Sequence, residues 1–156
     1  AEMTIIPIGG EGCEGCDPND SASILKPILG SLIDLCLQAK HAHWNYRGED
    51  FYAMHLLFDR IHDDYGEFID RVGERVAGMN TDAPGKLREV LAATILPEQC
   101  TGDDFVNDLL INIKILKEYA EGVVGDLSDD QASQSLVAEI LERLDQHLML
   151  LDGRSV

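Results

Sequence analysis

Between residues 51 and 77 the apolar side chains Met54, Phe58, Ile61, Tyr65, Phe68 and Val72 recur at alternating steps of four and three. That spacing holds all six on one stripe of an α-helix and would scatter them over both faces of a strand. It predicts a helix from its cap at Asp50 to about Ala77. Three further stretches carry the same signal. Ile24, Ile28, Leu32, Leu35 and Ala39 predict a first helix that Ser21 or Ser23 can cap, with Pro27 near its start and an end at about Tyr46. A third is expected from Thr101 or Asp103 to near Gly125, and a fourth from about Asp129 to Asp152. The loop "GMNTDAPGK" follows the second helix, and "LREVLAATI" predicts a short extra helix in the long connection between helices 2 and 3. Neither a repeat nor a convincing strand is evident. A chain of 156 residues has room for one core. The expected architecture is all-α, a four-helix bundle over residues 21–153.

Charge narrows the function classes. Twelve Lys and Arg face 29 Asp and Glu, a formal net charge of −17. Such a surface repels nucleic acid and anionic membranes and attracts cations. No stretch is expected to reach the ~20 apolar residues of a membrane span. The opening "AEMTIIPIGGEGCEGC" has no basic region and is broken by Pro and Gly, so no signal peptide is expected and a cytoplasmic protein is the default. Residues 1–20 read as a flexible acidic arm. Its Cys13 and Cys16 form a C-x-x-C pair without a βαβ context or a second pair, open to a metal or redox role or to none. Cys36, in "LIDLCLQA", reads as an inert core thiol.

The second helix also carries groups that normally belong in water. His55 and Asp59 are i,i+4 neighbours, as are Asp70 and Glu74, and all four share one stripe. The two pairs cannot hold one ion within a chain. Asp59 and Asp70 stand roughly 16 Å apart along the axis, against about 4 Å between the ligands of a single metal. Positions 55 and 74 have their midpoint at 64.5, and so do 59 and 70. Two such helices packed antiparallel about a two-fold axis would bring His55 to the partner's Glu74 and Asp59 to the partner's Asp70, forming two equivalent mixed sites. Gly66 lies beside that crossing. His43, near the end of the first helix, can complete the set. Two imidazoles and three carboxylates suit iron or zinc, and the open coordination positions favour iron. The alternative is a solvated acidic face with scattered histidines.

The segment "AHWNYRGEDFYAMHLLFDRIHDDYGEFIDRVGERV" resembles the signature of the Dps proteins, the mini-ferritins, in its "HWN" at 43–45 and in the mutual spacing of His55, Asp59, Asp70 and Glu74. The likeness continues through "LREVLAATI" and "LERLDQHLMLLDG" and spans roughly residues 21–153. It implies a ferritin-like bundle in a hollow shell of twelve subunits. It also implies a ferroxidase that oxidises Fe(II), preferably with hydrogen peroxide, and stores ferric iron, protecting against oxidative damage. By the same resemblance, His43, His55 and Asp59 of one subunit and Asp70 and Glu74 of its two-fold partner would hold two iron ions, with Trp44 beside them. Asp126, Asp129 and Asp130 stand where family shells have an acidic three-fold pore, though acids also favour any helix N-terminus.

Departures matter as much. The lysine-rich tail on which some members rely for DNA is missing, since no Lys or Arg precedes Lys26. Direct DNA binding is therefore not expected. His41 reads as a surface residue, His147 as packing, and His62 as an auxiliary ligand or a supporting residue at the interface. Beside the iron-storing reading stand a DNA-compacting shell protein, a diiron oxidase or hydrolase confined to one bundle, and a metal-free structural bundle. The lone-bundle oxidase would need a Glu-x-x-His pair on facing helices, and none is evident.

Overall fold

A computed structural model describes residues 20–97 and 104–153, and among these residues there is no strand. Four long helices, α1 (Ser21–Asn45), α2 (Phe51–Ala77), α4 (Phe105–Val123) and α5 (Gln131–Asp152), enclose the core, and the short α3 (Leu87–Ala93) rides on α1. α1 packs on α2 and α4, and α5 packs on α4 and α2, which closes a four-sided ring. The five-residue link between α1 and α2 makes them an antiparallel hairpin, whereas residues 78–104 separate α2 from α4 in the chain. The arm, with Cys13 and Cys16, lies outside the described residues.

The periodic positions are the core. Phe58, Ile61, Tyr65 and Val72 of α2 are fully buried, with Met54 and Phe68 almost so, against Ile28, Leu32, Leu35 and Ala39 of α1. Ile113 and Leu116 of α4 and Val137, Ile140 and Leu144 of α5 close the other side. By length and composition α1 is apolar enough to cross a membrane, which corrects the expectation that no stretch would reach that level. Most of its apolar residues are core residues here, lying among those of α2 and α4, while Leu37 and Trp44 are exposed.

Helix starts differ from expectation because polar side chains find better partners. Asp20 rather than Ser21 or Ser23 precedes α1, and the Ser21 hydroxyl serves Asp130. Asp50 does stand at the head of α2, but its carboxylate accepts from the Tyr46 hydroxyl instead of a helix N–H. Tyr46 is buried, and a buried hydroxyl without an acceptor costs more than an exposed helix end. Asp104 caps α4 through the Asn107 N–H, and Thr101 and Asp103 lie outside the described residues. A 3-10 turn, Val124–Leu127, ends α4 two residues early, and Asp130 caps α5.

α3 meets α1 closely at Gly30. A Cβ there would stand 2.7 Å from the Ala93 Cβ and 2.8 Å from the Thr94 nitrogen, so the small residue sets the approach. Thr94 then donates to Asp34 at 2.8 Å, and Ser31 accepts from the Ile95 N–H at 3.1 Å. These bonds pin the long connection to the middle of α1, clear of the end that carries His43.

Candidate metal centre

The 46–50 turn brings the end of α1 against the first turns of α2, and His43 meets His55 there. The two rings stack with centroids 3.6 Å apart, inclined by 16°. The Nδ1 of His43 lies 2.7 Å from the His55 carbonyl oxygen, and the Nδ1 of His55 lies 2.8 Å from the His43 carbonyl oxygen. A carbonyl only accepts, so both Nδ1 atoms carry the proton and donate. This reciprocal pair of bonds commits both Nδ1 atoms, leaving each Nε2 as the atom available to a metal. Phe51 stacks on the outer side of His55 at 5.2 Å and narrows its freedom further.

Asp59 follows one turn along α2, half-buried. Its carboxylate pairs with the Lys40 ammonium. The hydrogen bond from Lys40 holds this carboxyl below its ordinary range; partial desolvation opposes the shift, and the charges of Lys40, His43 and His62 add to it. Asp59 is thus ionised and already holds a cation. Sequence reasoning missed Lys40, although its position three residues before His43 puts both on one face of α1. His62 comes next, its Nδ1 3.0 Å from Oδ1 of Asp63. Asp63 was missed too, though it is the i+4 neighbour of Asp59.

Asp70 and Glu74 are exposed and lie further along the same helix, out of reach of the imidazole pair. The neighbouring arginines do not neutralise them. Arg71 forks onto Glu139 at 2.7 and 3.1 Å, and Arg75 reaches Asp130 and Ser133, so both tie α2 to α5. Gly66 and Gly73 lie between and beside these acids with open space where a Cβ would stand.

The remaining sequence-derived positions have surroundings of their own. Trp44, beside His43 in sequence, is 62% exposed. His41 is exposed, with its ring edge-on to Phe105 at 5.4 Å. His147 is fully buried, and its Nε2 bonds to Asp64 at 2.8 Å. Burial pushes its imidazole below the ordinary value against the pull of Asp64. Asp126 and Asp129 are exposed before α5. Asp130 is engaged, accepting from the Ser133 N–H and hydroxyl and pairing with Arg75 at 2.6 Å.

Comparison with known proteins agrees with this architecture. Residues 23–152 match the family described as the ferritin-like domain. A DNA protection during starvation protein from Agrobacterium fabrum is 33% identical over 83% of this chain and 84% of its own. Among solved structures, DpsC from Streptomyces coelicolor superposes with a TM-score of 0.80 at 26% identity, over 87% of this chain and 83% of that one. A DPS protein from Vibrio cholerae O1, described as a member of a broad superfamily of ferritin-like diiron-carboxylate proteins, gives 0.79 at 18% identity over 87% and 89%. The chain belongs to the ferritin-like proteins and, within them, to the Dps family.

Proposed function

We propose that this chain is an iron-oxidising and iron-storing subunit. Two copies meet through α2 about a two-fold axis, and twelve build a hollow shell. Each site takes His43, His55 and Asp59 from one subunit and Asp70 and Glu74 from its partner, with two ferrous ions as substrate.

The observation that carries this reading is the split donor set. One chain holds two imidazoles with both Nε2 atoms free and an ionised Asp59, and then leaves Asp70 and Glu74 exposed on the same helix. Unpartnered, those acids repel one another; an antiparallel copy places them opposite the imidazoles, where cations satisfy both halves. The open Gly66 and Gly73 leave room for the second helix. The description of the Vibrio cholerae protein as a member of a diiron-carboxylate superfamily supports the same metal.

In the proposed reaction, each of two Fe(II) ions gives one electron to the same hydrogen peroxide. Two Fe(II), one peroxide and two waters yield two FeOOH and four protons. Delivering both electrons together avoids the hydroxyl radical that a one-electron reduction releases. Lys40 must leave Asp59 as iron arrives, since carboxylate oxygens that hold the metal cannot keep the ammonium at full strength. Exposed Asp126 and Asp129 would draw Fe(II) to a pore, while Asp130 is bound up in its cap and in Arg75. At −17 the chain repels DNA phosphates, so protection would come from removing iron and peroxide rather than from coating DNA.

The test is anaerobic Fe(II) plus hydrogen peroxide, followed by ferric absorbance and by the solubility of the product. Wild type should oxidise quickly and keep the iron in solution, whereas Asp59→Asn and Asp70→Asn should each lose most of the fast phase. A wild-type trace matching a protein-free control would sink the reading. A gel shift of duplex DNA at 50 and 150 mM salt should show no complex.

A further inference from the structure

The two-fold arrangement leaves His62 and Asp63 unused. With Asp59 they stand at i, i+3 and i+4 on α2, and one ligand atom from each of the three lies within 4.8 Å of the others. We propose that these three side chains form a second divalent-metal site, contained within one chain and sharing Asp59 with the His43–His55 half-site.

Three observations carry the inference. The first is the donor geometry, which fits a single ion. The second is a close nitrogen–oxygen pair: His62 Nδ1 and Asp63 Oδ1 stand 3.0 Å apart, the spacing of neighbouring ligand atoms around one ion that holds each at about 2.1 Å. In the tautomer protonated at Nε2, both turn a lone pair toward such an ion. The third is that a cation already occupies the place: the Lys40 ammonium sits on Asp59. Two carboxylates and one ammonium leave this turn one negative charge in excess. The other nearby cations are committed elsewhere, Arg60 and Arg143 both to Asp64.

The ligand chemistry follows from the donors. One imidazole and two carboxylates make a borderline set that takes Fe(II), Zn(II), Mn(II) or Co(II). Three ligands from one helical turn leave the remaining positions to water, so the ion exchanges readily. Because Asp59 belongs to both groups, it would pass an Fe(II) held with His62 and Asp63 toward His43 and His55, whose half-site begins two turns back along α2. The site is a staging post ahead of oxidation. That role rests on the proposed ferroxidase; the metal site does not, since no partner residue enters it.

The experiment is anaerobic Co(II) titration of the full chain, read by equilibrium dialysis and the visible Co(II) bands. Wild type is set against His62→Ala, Asp63→Asn and Glu74→Gln, with circular dichroism confirming helix content. His62→Ala and Asp63→Asn should each bind one fewer Co(II) per chain, or bind that ion ~10-fold or more weakly. Glu74→Gln should keep this ion and lose one at the shared interface. If His62→Ala and Asp63→Asn both match wild type in number and affinity, the site does not exist, whatever Glu74→Gln does. If Glu74→Gln alone matches wild type, the intersubunit reading fails and this site stands.

Discussion

At the scale of single residues, Lys40 was the least legible feature and governs the most. The sequence displayed the histidines and acids as a ladder, because i,i+4 spacing is visible in one dimension. Nothing in one dimension says that α1 lays Lys40 across Asp59 of α2, since that contact depends on how two helices pack. Lys40→Gln should therefore tighten Co(II) binding at Asp59 while leaving the fold intact, and isothermal titration checks it. An unchanged affinity would mean that the ion pair is incidental. Asp130 yields a pH prediction. Partial burial pushes its carboxyl up, but bonds from Ser133 and Ser21 and the charge of Arg75 prevail and hold it at about 2, against an ordinary 3.8. Because the folded value is depressed, the stabilisation is present above the unfolded value and is lost as pH falls toward about 2. Asp130→Ala should cost about 1–2 kcal/mol near neutral pH, with the gap between its melting curve and that of wild type closing as pH drops from 4 to 2.

At the scale of elements, the helices were readable because apolar periodicity survives any packing detail, and every periodic position of α1 and α2 is buried. Helix starts were less readable. A Ser or Asp before an apolar run signals a cap, but the side chain goes where burial makes the stronger demand, as Asp50 does toward Tyr46. The docking of α3 was hidden for a related reason: Gly30 looks like a weak point in an apolar helix until α3 is seen against it. Gly30→Ala would push its Cβ into backbone at 2.8 and 2.9 Å, which a side-chain rotation cannot relieve. It should destabilise by about 1–3 kcal/mol, despite alanine's higher helix propensity. A melting temperature equal to or above that of wild type would show that α3 is free to shift.

At the scale of the whole molecule, the coincident midpoints and Gly66 beside them were readable in the sequence as a proposed crossing, and the structure adds that the space at Gly66 is open. A Cβ there meets nothing within 4 Å among the described residues. Gly66→Trp should consequently leave the helix content and melting of the isolated chain near those of wild type while blocking α2 against α2. Sedimentation should show smaller species, and a variant that assembles normally would place the interface elsewhere. The proposed split of donors between the two ends of one helix would have a further consequence, in heredity. Two defective alleles, one carrying Asp59→Asn and the other Asp70→Asn, should each be inactive alone, since every shared site in their own assemblies would lack a ligand. In a mixed pair, one site would collect both lesions and the other none. Random co-assembly should then restore about a quarter of the sites, so that two dead copies of the gene in one cell complement each other.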